Sequence, residues 1–119
     1  MFEIRKQFHF SASHVLEGLP EGHQCGRMHG HNYLVEVVLA SKGVDEIGFV
    51  RDYGDLKEVK QFLDDTFDHR HLNDFLPCNP TAENMCAFLL NYFMPTIPEL
   101  VAVRVSETPS TWAELRRVP

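Results

Sequence analysis

His14, His29 and His31 carry the chemistry most readily read from this chain, with Cys25 just upstream of the last two. In His29-Gly30-His31 a single residue separates the imidazoles, so on a strand both project from one face. A third imidazole from a neighbouring strand would complete a three-nitrogen pocket of the kind zinc occupies in catalytic sites, with one position open. The chemistry such a pocket supports is metal-assisted attack on a small molecule. Zinc suits an all-imidazole set best, and other divalent ions are compatible with the ligand type.

Two strands must deliver these residues. Phe2, Ile4, Phe8, Phe10 and Ala12 share one parity with His14, interrupted only by Lys6, which predicts a long strand ending in a histidine. Gly18, Pro20, Gly22 and Gly26 mark a loop. A second strand runs from about His31 through Tyr33, Val35, Val37 and Leu39, and Leu34 and Val38 make its other face apolar too. Antiparallel pairing sets the end of the first strand beside the start of the second. His14 then meets His29 and His31 at one end of the sheet, with the Cys25 loop draped over it.

Leu56, Val59, Leu63 and Phe67 follow helical spacing, and a break follows from Asp68 to Asp74. Pro80-Thr81 opens a second helix with Thr81 as N-cap and Glu83 in its first turn, and Pro95 and Pro98 end it. Leu100 to Thr108 reads as a third strand and Trp112 to Arg117 as a fourth. The expectation is an α+β fold, a four-stranded antiparallel sheet with two helices inserted between strands 2 and 3, as a single domain spanning 1–119.

Cys25 admits three readings: a fourth ligand closing a structural site, a thiolate base standing off the metal, or an inert side chain. Structural zinc sites usually hold more cysteines, which favours the open site. The inert reading fits Cys78 and Cys86 better. His9 is out of phase with His14 and His23 lies in a polar loop, so both read as surface side chains. Asp68-His69 is either a carboxylate orienting an imidazole or a polar helix end. Glu107 is the lone acid on a valine-rich strand face, where a carboxylate needs a partner: a ligand, or an arginine such as Arg104 or Arg116.

The chain has 119 residues, 44% hydrophobic and 11% aromatic, an ordinary globular composition. A core of this size is adequate without being generous, so oligomerisation fits. Net charge is −6 and no Lys/Arg run exceeds two residues, which argues against nucleic-acid binding through a basic face. No apolar run approaches the roughly 20 residues that cross a bilayer. The first residues lack a signal-peptide pattern. Three cysteines without a CxxC pair point to a reducing compartment, so the cytoplasm is the expected location.

The chain resembles the 6-pyruvoyltetrahydropterin synthase superfamily, and within it the bacterial 6-carboxytetrahydropterin synthase branch of queuosine biosynthesis. The resemblance rests on Phe8-His9-Phe10-Ser11-Ala12-Ser13-His14, the compact Cys25-to-His31 motif, Asp68-His69 with Leu72-Asn73-Asp74, Asn79-Pro80-Thr81-Ala82-Glu83-Asn84, and Ser106-Glu107-Thr108. It implies the tunnelling fold (T-fold), a homohexamer built as a dimer of trimers with sites at subunit interfaces, and zinc (Zn2+) on His14, His29 and His31. The implied substrate is dihydroneopterin triphosphate, and the implied reaction a lyase step giving 6-carboxytetrahydropterin, acetaldehyde and triphosphate. Cys25 would accept a proton with Asp68 and His69 assisting. Glu107 would anchor the pterin and belong to the relay, and Thr81 and Glu83 would line the pocket. The alternatives are triphosphate elimination without side-chain cleavage, as in 6-pyruvoyltetrahydropterin synthase, and a non-catalytic zinc-stabilised pterin-binding module. Gln24 departs from relatives that carry lysine before the cysteine, which bears on rate and substrate preference.

Overall fold

A computed structural model describes residues 1–118; Pro119, the last residue of the expected 1–119 span, lies outside the described residues. Strand β1 (Phe2–His14) and strand β2 (His29–Ser41) pair antiparallel along their whole length, from Phe2 opposite Ser41 to His14 opposite His29. The parity read from the sequence decides the faces. Phe8, Phe10, Ala12 and His14 are buried, and on β2 Tyr33 and Val35, opposite Phe10 and Phe8, turn into the same core with Val37 and Leu39. Strand β2 begins two residues earlier than expected. Gly30 stays in the ladder, where a Cβ would meet the Ala12 carbonyl oxygen at 3.3 Å.

Helix α1 (Lys57–Thr66) follows a 3-10 turn, Tyr53–Leu56, opened by Asp52 accepting from the Gly54 N–H at 2.8 Å. Helix α2 spans Ala82–Phe93, and its Thr81 cap accepts from the Asn84 N–H at 3.1 Å, as expected. Val59 and Leu63 of α1 and Met85, Leu89, Leu90 and Phe93 of α2 close over one face of the sheet. Burial pushes the Cys86 thiol within α2 up to about 11, and it donates to the Ala113 carbonyl, so this cysteine is structural.

The sheet has five strands rather than four, in the order β3-β1-β2-β4-β5. Strands β4 (Leu100–Thr108) and β5 (Thr111–Arg116) fall where expected. The added strand, β3 (Arg70–His71), runs parallel to β1 beside Ala12 and Ser13, so the sheet is mixed. Two residues carry no periodic signal, which is why the break hid a strand. Hydrogen bonds dock it: the His69 N–H donates to the Ser11 carbonyl at 2.6 Å, and the Ser11 N–H donates to the Asp68 carboxylate at 2.9 Å.

The second face of the sheet holds a buried carboxylate. Glu36 receives Arg5 at 3.2 Å, Gln7 at 2.9 Å and Arg104 at 2.9 Å. Burial works against ionisation there, yet those hydrogen bonds and the Arg104 charge outweigh it and hold the carboxyl below its ordinary value. Among the described residues no helix is long and apolar enough to cross a membrane.

Candidate metal centre and its surroundings

The last rung of β1 and β2 sets His14 against His29, and His31 follows two residues along β2 on the same face. Their ligand atoms all lie within 4.8 Å of one another. His14 Nε2 and His29 Nε2 are 2.9 Å apart. Second contacts fix each ring: His14 Nδ1–H donates to the Pro80 carbonyl and His29 Nδ1–H to the Arg27 carbonyl, both at 2.7 Å. With Nδ1 protonated, each Nε2 presents a lone pair inward, the tautomer that metal-binding histidines adopt. His31 Nε2 is buried without a hydrogen-bond partner. Three converging acceptors, one of them orphaned, fit a divalent cation bound by nitrogen.

Tyr33 forms the floor. It is fully buried, stacks on Phe10 with ring centroids 4.8 Å apart, and sets its hydroxyl 3.2 Å from His14 Nδ1. Burial, reinforced by the charge of Glu107, raises its pKa and keeps it a neutral phenol. Burial also lowers the His14 pKa, outweighing the Pro80 hydrogen bond and Glu107. A neutral imidazole is what a metal requires.

Glu107 arrives from β4. The β4–β5 pairing shifts register between Val105 and Thr108, and such a bulge re-aims a side chain. Its Oε2 lies 3.8 Å from His31 Nε2. The arginines that could have claimed it are engaged elsewhere, Arg104 with Glu36 and Glu114, and Arg116 with Glu3 and Glu114.

Cys25 sits in a short 3-10 turn, Gln24–Gly26, and is partly exposed. Its thiol is not among the donors that converge with the three histidines. The turn is capped by His23, an exposed side chain as expected, whose Nδ1 accepts from the Cys25 N–H at 3.1 Å.

Asp68 and His69 form a pair at the outer edge of β1. His69 Nδ1 lies 2.9 Å from Asp68 Oδ2. The Ser11 N–H and then this imidazole hold the Asp68 carboxyl below its ordinary value. His69 alone among described non-glycine residues has a positive φ, 59°, and its side chain is 83% exposed. Left-handed backbone at such a residue commonly marks a functional position. The pair borders a cavity of about 630 Å³ along the β1 edge with Lys6, His9 and Lys60. Within the chain no hydrogen bond or ion pair among the described residues joins it to Cys25 or the histidines. Thr81 spends its hydroxyl on the α2 cap, and Glu83 is exposed in the first turn of that helix. Pro80, Tyr33, Asn73 and Asn79 were not singled out as site residues; motif context signalled Pro80, Asn73 and Asn79, and Tyr33 was read only as a strand residue.

Comparison with known proteins matches this sequence and fold. The profile of the family described as 6-pyruvoyl tetrahydropterin synthase matches residues 3–118. An Archaeoglobus fulgidus relative is 39% identical over 108 residues, covering 91% of this chain and 90% of its own. The 6-carboxy-5,6,7,8-tetrahydropterin synthase of Rickettsia bellii is 30% identical over 140 residues, covering 97% of this chain and all of its own length. Among solved structures, Caenorhabditis elegans 6-pyruvoyl tetrahydropterin synthase superimposes with a TM-score of 0.85 at 27% identity, covering 98% of this chain and 96% of that one. The family profile, these relatives and the superposition each cover nearly the whole chain: this protein belongs to the 6-pyruvoyl tetrahydropterin synthase family.

Proposed function

We propose that this protein is a zinc-dependent lyase that converts 7,8-dihydroneopterin triphosphate and water to 6-carboxy-5,6,7,8-tetrahydropterin, acetaldehyde and triphosphate, in the route to queuosine. The observation that carries the reading is the convergence of one ring nitrogen from each of the three histidines beside Glu107, which pairs with no arginine among the described residues. Relatives named for the carboxy product support that choice.

Zinc, held by His14, His29 and His31, would supply Lewis acidity at the substrate side chain. Glu107 would accept paired hydrogen bonds from the pterin amino group and ring N–H, a bidentate match to a carboxylate, and share in the proton relay. Cys25 would take the proton, with Asp68 and His69 receiving or returning it. Thr81 and Glu83, at the head of α2 next to Pro80, would border the substrate.

Among the described residues no hydrogen bond or ion pair links Asp68 or His69 to the three histidines, which fits a site completed by a second copy. Strand β1 is paired on its outer side only at Ala12 and Ser13 among the described residues, and β5 is the opposite edge of the sheet. The radius of gyration is 15.5 Å, against about 13.5 Å for a compact domain of this length. Open edges and an extended shape suit a homohexamer of two trimers in which neighbouring sheets join. Free cysteines suit a cytoplasmic location.

The test is mass analysis of the product. Zinc-loaded enzyme should release acetaldehyde and triphosphate in equal amounts. Triphosphate without acetaldehyde would assign the pyruvoyl reaction instead, and intact substrate would leave a pterin-binding module.

A further inference from the structure

Asn73 and Asn79, prominent in the motifs, have no part in the chemistry above, yet their contacts converge on one segment. After His14 the chain runs through Val15, Leu16 and Glu17 outside any strand. Two carboxamides stand in for the missing partner. Asn73 accepts from the Val15 N–H and donates to the Val15 carbonyl, both at 2.9 Å. Asn79 accepts from the Glu17 N–H at 2.9 Å and donates to the Glu17 carbonyl at 2.8 Å. A carboxamide sets an acceptor beside a donor as a peptide does, so each makes the paired exchange of an antiparallel rung.

In extended chain, alternate residues turn their N–H and C=O groups to opposite sides. Val15 and Glu17 face the asparagines, and Leu16 between them donates to the Cys25 carbonyl at 3.2 Å. Asn79 is itself held, its carbonyl accepting from the Thr81 N–H at 2.8 Å and from Asn84 at 2.9 Å. The next carbonyl, that of Pro80, holds His14.

We propose that Asn73 and Asn79 are positioning residues for Cys25: they clamp residues 15–17 so that Leu16 fixes the turn bearing the thiol. This rests on the reading of Cys25 as proton acceptor.

The test uses the full zinc-loaded chain with Asn73→Asp and Asn79→Asp, which keep the acceptor and remove the donor, and Asn79→Ala, which removes both. Zinc content, turnover of dihydroneopterin triphosphate, and peptide-mapped alkylation by iodoacetamide are measured. Alkylation of buried Cys86 reports general opening. The expected result is unchanged zinc and a protected Cys86, with Cys25 alkylation several-fold faster. Turnover should lose about ten- to a hundredfold in kcat, as for a misplaced catalytic group, with KM within about twofold.

Wild-type kcat and Cys25 alkylation in these variants would overturn the proposal. So would loss of zinc from folded variants, which would place the effect on His14. Reactive Cys86 in every variant would reduce the clamps to general support and overturn it as well. Full turnover by Cys25→Ala would instead sink the proton-acceptor reading, while the alkylation result still decides whether the clamps hold the turn.

Discussion

Glu107 and His31 approach from different strands, Oε2 to Nε2 at 3.8 Å, and neither side chain has a hydrogen-bond partner among the described residues. One offers an acid and the other a lone pair, each held by a rigid strand. Both groups are available to something the chain binds.

For Glu107 the proposed occupant is the pterin. Glu107→Gln keeps the size and one acceptor but loses the charge and the paired geometry. We expect pterin affinity to fall by about tenfold or more, the worth of a charge-assisted hydrogen-bond pair, with zinc content unchanged. Titration with a non-reactive pterin checks this; unaltered affinity would remove Glu107 from the binding role.

Metal removal gives a second outcome. Zinc at about a hundred times its dissociation constant adds about 2.7 kcal/mol to the folded state. Chelator-treated protein should therefore melt several degrees lower and recover on adding zinc. His29→Ala should abolish most of that recovery. Identical melting curves with and without zinc would contradict a metal site here.

Cys25→Ala separates ligand from base. Because the thiol stands apart from the three nitrogens, zinc content and melting temperature should match wild type. Turnover should drop by at least about a hundredfold, the usual contribution of a general base. Loss of metal would return Cys25 to the coordination sphere.

Glu36 supplies a pH dependence. Its folded pKa is depressed, so the unfolded chain binds a proton more readily. The stabilisation is therefore present above the ordinary carboxylate range and lost as pH falls through the folded value. Melting temperature should fall between about pH 5 and pH 3, and Glu36→Gln should flatten that slope while lowering stability near neutrality. An unchanged acid slope would show that Glu36 does not set it.

The histidine cluster was legible because parity and one hairpin fix it: His14 must face the side that Phe10 and Ala12 face, and pairing does the rest. Glu107 was legible as an acid in an apolar row, although the bulge that aims it leaves no mark in a single chain. Strand β3 was not legible, since its two residues owe their place to Ser11. Nor were the contacts of Asn73 and Asn79, whose partners lie 58 and 62 residues away in sequence and are backbone atoms of any residue type.

The unbroken pairing of β1 with β2 has a further consequence for assembly of the fold. A slip of one residue would turn His14 to the opposite face while leaving most backbone hydrogen bonds of the hairpin available. The two phenylalanines penalise that error through lost burial, and a cation needing three nitrogens penalises it again by finding only two. Metal bound during folding would therefore act as a gauge of strand alignment, rewarding the single register in which catalysis can occur.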